Sequence, residues 1–223
     1  MLGGYPLMIS FMSVLFLGFI LGIKHSIEPD HVIAVATVVS KNKKLSRSAL
    51  TGACWGIGHT STLLIVGLIM VLMKGELSDK WAMSLEFLVG VMLVSLGMRS
   101  MLFYKNINIK QADHSPERAS LIKVTLIGFI HGLAGSAAMV VLTMSTVSTV
   151  WECILYIVIF GAGTILGMLT FTTIIGIPFV YSKKNLNLNR SLTQLAGTVS
   201  FIFGIYYMYN LGVTEGLFRM WAQ

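Results

Sequence analysis

Residues 22–40 read GIKHSIEPDHVIAVATVVS, and the reading of the whole chain turns on them. Upstream lies PLMISFMSVLFLGFILGI, without a charge between Pro6 and Ile23, and downstream the chain stays apolar until Lys41. Between these runs Lys24, His25, Glu28, Asp30 and His31 place five titratable side chains within eight residues. An ionisable group at mid-bilayer costs at least about 2.5–3.5 kcal/mol even on a lenient insertion scale. A cluster kept at that cost needs a function.

Composition sets the surroundings. Of 223 residues, 55% are hydrophobic and 11% charged, where soluble domains carry about 25% charged residues. Mean hydropathy is +0.81, and several runs exceed the roughly 18 apolar residues that mark a membrane span. These features identify a polytopic membrane protein. The first 22 residues lack a basic leading region and a small-residue cleavage site, so they read as the start of a span and not as a signal peptide. Net charge is +7, with the basic residues gathered in loops, which suits an anionic inner leaflet and not nucleic acid. Cys54 and Cys153 show no CxxC spacing and imply neither a disulfide framework nor a zinc ribbon.

Six apolar segments emerge, at about 7–40, 47–73, 82–104, 120–147, 152–181 and 192–214. The first is interrupted by HSIEPDH and the fourth by HGLAGS, so both are expected to be broken helices. Loop 41–48 carries Lys41, Lys43, Lys44 and Arg47. Loop 105–118 carries Lys105, Lys110 and Arg118, and loop 182–191 carries Lys183, Lys184 and Arg190. With six spans these three loops share one side, which is then cytoplasmic, and both termini lie outside.

The halves also match. Laying 22–41 over 128–147 aligns Gly22 with Gly128, His25 with His131, Val35 with Val141 and Thr37 with Thr143. At nearly the same offset Gly56, Gly90 and Gly97 meet Gly163, Gly197 and Gly204. Three spans per half is an odd number, so the halves must run antiparallel. The expected fold is an all-α polytopic membrane protein of six transmembrane helices arranged as two inverted three-helix repeats, 1–111 and 112–223, the first helix of each broken near mid-membrane. Such a design places a transport site at the breaks. Small-residue faces at Gly52/Gly56, Gly128/Gly132 and Gly163/Gly167 suit close helix packing.

At the first break, Pro29 disfavours helical geometry at Glu28 and suits the first position of a new helix. One half-helix should end near His25 and another start at Pro29, letting His25, Asp30 and His31 converge. The carbonyl end of the first favours a cation, and Glu28 and Asp30 offset the opposing end of the second. Imidazole with one or two carboxylates suits nickel, cobalt, copper, zinc or iron(II), whereas magnesium and calcium would call for oxygen alone. Nickel and cobalt fit best, with zinc close behind. His59, in GACWGIGHTST, and His131 are further candidates, although a membrane histidine also serves as a plain interhelical hydrogen-bond partner. Lys24 reads as snorkelling or pairing with Glu28, His114 as a solvated loop residue, and the fourteen methionines as core filler.

His25-x4-Asp30-His31, followed by VIAVATVV and by GIGHTST (56–62), resembles the nickel/cobalt transporter family, and the short six-span chain looks most like its UreH-type permeases associated with urease. The resemblance implies a permease for Ni2+, or Co2+, with His25, Asp30 and His31 as principal ligands, His59 contributing, and a functional link to a nickel enzyme such as urease. Longer members carry a stretch like GFDTATE in the second half. Here GFIHGLAGSAAM stands in its place, with His131 but no carboxylate, and GMLTFTT (167–173) has threonines where aspartates would be expected.

No phosphate loop is present, so no ATPase activity is expected from the chain itself. For a divalent cation the membrane potential supplies about 4.6 kcal/mol per 100 mV, enough for roughly a thousandfold accumulation. The expectation is therefore a non-enzyme with the metal as cargo and no resident cofactor, its partners being the ion, the bilayer and, compatibly, further copies of itself. Two rival readings are an exporter of the same ions and an intramembrane metalloenzyme or bis-histidine haem protein, for which Glu28 would be a general base.

Overall fold

The computed structural model describes residues 4–73, 78–102, 117–146 and 149–222, with side chains described over 11–72, 78–102, 120–134 and 149–222. Every regular element among them is helical: α1 (Gly4–His25), α2 (Pro29–Val39), α3 (Leu45–Met73), α4 (Asp79–Leu102), α5 (Glu117–Thr146), α6 (Val150–Tyr181), α7 (Leu186–Tyr209) and α8 (Leu217–Ala222). Each of the six apolar segments coincides with one long helix, or, for the first, with the α1–α2 pair. By length and apolarity α3, α4 and α6 can each cross a membrane alone, and the α1–α2 pair, bent by 54° at its break, is long and apolar enough to make a fourth span if it counts as one. The chain is thus a polytopic helical membrane protein.

Proline chemistry explains the first break. Pro29 cannot donate a hydrogen bond to the carbonyl four residues back, which is that of His25, and its ring would clash there. Helix α1 therefore closes on tighter bonds, Ile27 N–H to Lys24 O (3.1 Å) and Glu28 N–H to His25 O (3.1 Å). Glu28 is extended, with φ −61° and ψ 148°, and Pro29 opens α2. The expected second break does not occur: α5 runs continuously from Glu117 to Thr146, through HGLAGS. That segment contains glycines but no proline. A helical glycine costs only about 1 kcal/mol relative to alanine, against about 3 for proline, and close packing offsets it.

The helices pack at glycine faces. Gly97 of α4 lies against Gly197 of α7, where a Cβ on Gly97 would be 2.6 Å from the Gly197 carbonyl and the reverse 2.8 Å. One turn pair away, a Cβ on Gly204 would stand 2.9 Å from Gly90 O, so α4 and α7 run antiparallel. All three small-residue faces read from the sequence lie at interfaces: Gly52 and Gly56 against Met168 and Ile165, Gly128 and Gly132 against Trp55 and His59, Gly163 and Gly167 against Phe19 and Ser26. From these pairings α3 runs antiparallel to α6, α5 parallel to α3, and α1 parallel to α6.

The polarity of the fold is the reverse of a soluble protein. Thr62, Thr164, Thr193 and Ser200 are fully buried, whereas Phe16, Leu72, Ile122 and Ile202 are among the most exposed. An apolar exterior around small polar residues is what lipid as solvent selects. Helix α6 starts on a capping box, in which Thr149 Oγ1 accepts from Glu152 N–H (3.2 Å) and Glu152 Oε2 from Thr149 N–H (3.1 Å). At the far end of α6, Lys183 Nζ donates to Lys43 O (3.4 Å), so two of the basic loops sit side by side. Opposite them, Trp221 Nε1 of α8 donates to Ser84 Oγ near the start of α4 (3.0 Å). The third basic loop, 105–118, falls almost entirely outside the described residues.

Candidate metal site

Four helices deliver the candidate residues to one point. His25 is the last residue of α1, Asp30 and His31 stand in the first turn of α2, His59 lies at the midpoint of α3, and His131 at the middle of α5. The break is what makes this convergence feasible: successive residues of one continuous helix diverge by about 100° each, whereas the 54° bend turns the end of α1 and the start of α2 inward together. Asp30 also occupies the positive end of α2, where a carboxylate is favoured.

The pairings are short. His25 Nε2 lies 3.0 Å from His59 Nε2. Asp30 reaches two imidazoles at once, Oδ1 at 3.2 Å from His31 Nδ1 and Oδ2 at 2.8 Å from His131 Nε2. The rings themselves cluster, with centroid separations of 4.6 Å for His25–His31, 5.0 Å for His31–His59 and 4.2 Å for His31–His131. Two sets of three have ligand atoms all within 4.8 Å of one another: His25, His31, His59 and Asp30, His31, His131. His31, His59 and His131 are each 1% exposed or less.

Glu28 stands apart. Its Oε2 pairs with His25 Nδ1 at 2.9 Å, it is half exposed, and it belongs to neither set of three. Lys24 is exposed, and the carboxylate expected to pair with it is turned to His25 instead. His114 falls outside the described residues, as do the side chains following Ala134 in α5.

Three ring nitrogens, His31 Nε2, His59 Nδ1 and His131 Nδ1, are buried without a hydrogen-bond partner among the described residues. Leaving a buried polar atom unpaired costs about 1–3 kcal/mol, so three in one cluster signal an acceptor set built for something else. Neutral imidazole nitrogens beside a carboxylate are ligands for a borderline divalent ion. Two neighbours escaped the sequence reading. Trp55 packs its ring 5.6 Å from His131 and buries its indole Nε1, also unpaired, and Phe160 of α6 stands 5.6 Å from His25. The signal for Trp55 was present, since it precedes His59 by four residues and so shares its helix face; Phe160 carried none.

Known proteins place the chain. The urease accessory protein UreH of Bacillus sp. (strain TB-90) is 55% identical, covering 96% of this chain and 99% of that one. A Methanocaldococcus jannaschii protein named as a nickel/cobalt efflux system is 22% identical over 89% of this chain and 94% of its own length. The Arabidopsis thaliana chloroplast protein FOR GROWTH AND FERTILITY 1 is 27% identical over 84% of this chain, which spans 56% of that protein. No family profile and no solved structure matches. Identity above one half across nearly the full length of both chains settles the relationship: the chain belongs to the UreH family.

Proposed function

We propose that this protein is a permease that carries Ni2+, and by the same chemistry Co2+, inward across the cell membrane. The observation that carries the reading is the convergence of His25, Asp30, His31, His59 and His131 at the break of a membrane-crossing helix. The ion enters partly dehydrated, exchanges water for imidazole and carboxylate, and leaves when the two halves rock about the site. The metal is cargo, and the chain needs no resident cofactor and catalyses no reaction. Glu28 accepts the Nδ1 proton of His25 and so keeps Nε2 free for metal, the outer-shell role common to metal-binding histidines.

The six-span inverted arrangement is part of this proposal. It is supported by the helix directions, since α1 beside α6 and α5 beside α3 form matching parallel pairs, and α3–α6 and α4–α7 matching antiparallel ones. The contact between Lys183 and Lys43 supports placing the basic loops together on the cytoplasmic side, with both termini outside. The name of the Bacillus relative favours a nickel supply to urease, and hence uptake. The archaeal relative's name favours the exporter reading.

Uptake of 63Ni in cells expressing His25→Ala, Asp30→Ala or His31→Ala decides the matter. Each should fall to background at normal protein levels; undiminished accumulation in all three would end the proposal. Direction is read from a deletion strain, in which a nickel shortage of urease means uptake and sensitivity to excess nickel means export.

A further inference from the structure

We infer that the cluster is two successive ion positions that share His31, and that a divalent cation steps from one to the other during transport. This rests on the permease reading and adds a path within it. The two sets of three ligands do not merge into one set of five within the same reach. His31 is the single residue common to both, and its two nitrogens divide: Nδ1 lies beside Asp30 (3.2 Å), which leaves Nε2, buried and unpaired, for His25 and His59.

The positions differ in chemistry. His25, His31 and His59 form an all-imidazole site, supplied entirely by the first half of the chain. Asp30, His31 and His131 form an imidazole–carboxylate site completed by α5 of the second half. The carboxylate favours the harder, more hydrated ion and the imidazoles favour the dehydrated one. Two divalent ions sharing one imidazole would repel strongly at low dielectric, so the positions fill alternately.

The groups of each position also lie within hydrogen-bond reach of one another. His25 Nε2 and His59 Nε2 lie 3.0 Å apart, and Asp30 reaches both His31 and His131.

The test uses purified full-length protein and Ni2+ alone, measured by equilibrium dialysis with X-ray absorption of the bound ion, beside 63Ni uptake in cells. His59→Asn disables the first position and His131→Asn the second, each keeping a polar side chain of similar size. His31→Asn disables both. Wild type should bind one ion per chain. His59→Asn and His131→Asn should each still bind one, at least tenfold more weakly, with a carboxylate in the coordination shell of the former and none in the latter. Both should lose at least tenfold in uptake, and His31→Asn should bind none. Complete loss of binding in both single variants means one composite site and overturns the relay, as does unchanged uptake in either. Wild-type uptake by His31→Asn overturns the permease reading beneath it. Alanine at the same positions, with monodispersity as the folding check, separates lost ligation from lost structure.

Discussion

Under the proposed inverted repeat, α1–α2 and α5 correspond and carry His25 and His131, yet one is bent by 54° and the other runs unbroken. The difference is a proline. At the position of Pro29 the second half has Gly135, which weakens a helix without forbidding its hydrogen bonds. A bent helix can present three ligands from seven consecutive residues, as His25, Asp30 and His31 show. The continuous α5 presents His131 among its described side chains. The proposed site is thus unequally divided: α1–α3 bring His25, Asp30, His31 and His59, and α5 brings His131.

The strongest way to break this comparison is at the histidines themselves. His25→Ala should reduce 63Ni uptake by about a hundredfold or more, and His131→Ala by about tenfold to a hundredfold, in line with losses at metal sites. Equal, complete loss in both would mean that the halves contribute equally.

Moving the proline is the next test. Gly135→Pro should destabilise the protein by about 3 kcal/mol, the usual cost inside a helix, seen as lower yield and earlier thermal unfolding in detergent. Pro29→Ala should leave yield unchanged and lower uptake, since it permits a helix to run on through His25. A bend that persists with full uptake would show that tertiary packing, not proline, fixes it.

Packing gives a smaller, symmetric effect. Gly22 and Gly128 each meet a backbone carbonyl of the facing helix, Phe160 O and Trp55 O. Leucine at either position should cost about 1–3 kcal/mol, equally in both halves. A marked asymmetry in unfolding would argue against matching roles.

The smallest effect concerns protons. Ligation needs neutral imidazole, and protonation removes the lone pair, so acid competes with metal. Uptake should decline as the medium is made more acid. A rate unchanged at pH 5 would count against imidazole ligands.

Several features were legible before any coordinates. A charge-bearing interruption with a proline, inside an apolar run, specifies both a helix break and its location: α1 ends at His25 and α2 begins at Pro29. That inference is local, because proline acts on its own carbonyl partner four residues back. Glycine spacing likewise announced the helix interfaces at Gly52/Gly56 and Gly163/Gly167. HGLAGS misled for the complementary reason, since a glycine-rich stretch is weak in isolation and becomes an intact helix when Trp55 and His59 pack onto it. Glu28 was similarly ambiguous, being close in sequence to His25, Asp30 and His31 while its carboxylate turns to His25 Nδ1.

The sequence by itself determined the solvent of this protein, its helices and the residue types of a borderline-metal site, because apolar run length, proline and side-chain chemistry act over a few residues. Only the tertiary structure decided that His59 and His131 belong beside His25, Asp30 and His31, that they fall into two sets sharing His31, and that Trp55 and Phe160 wall the cluster. Those juxtapositions join residues more than a hundred positions apart, as in Asp30–His131 and His25–Phe160, and it is the packing of α3, α5 and α6 across glycine faces that fixes them.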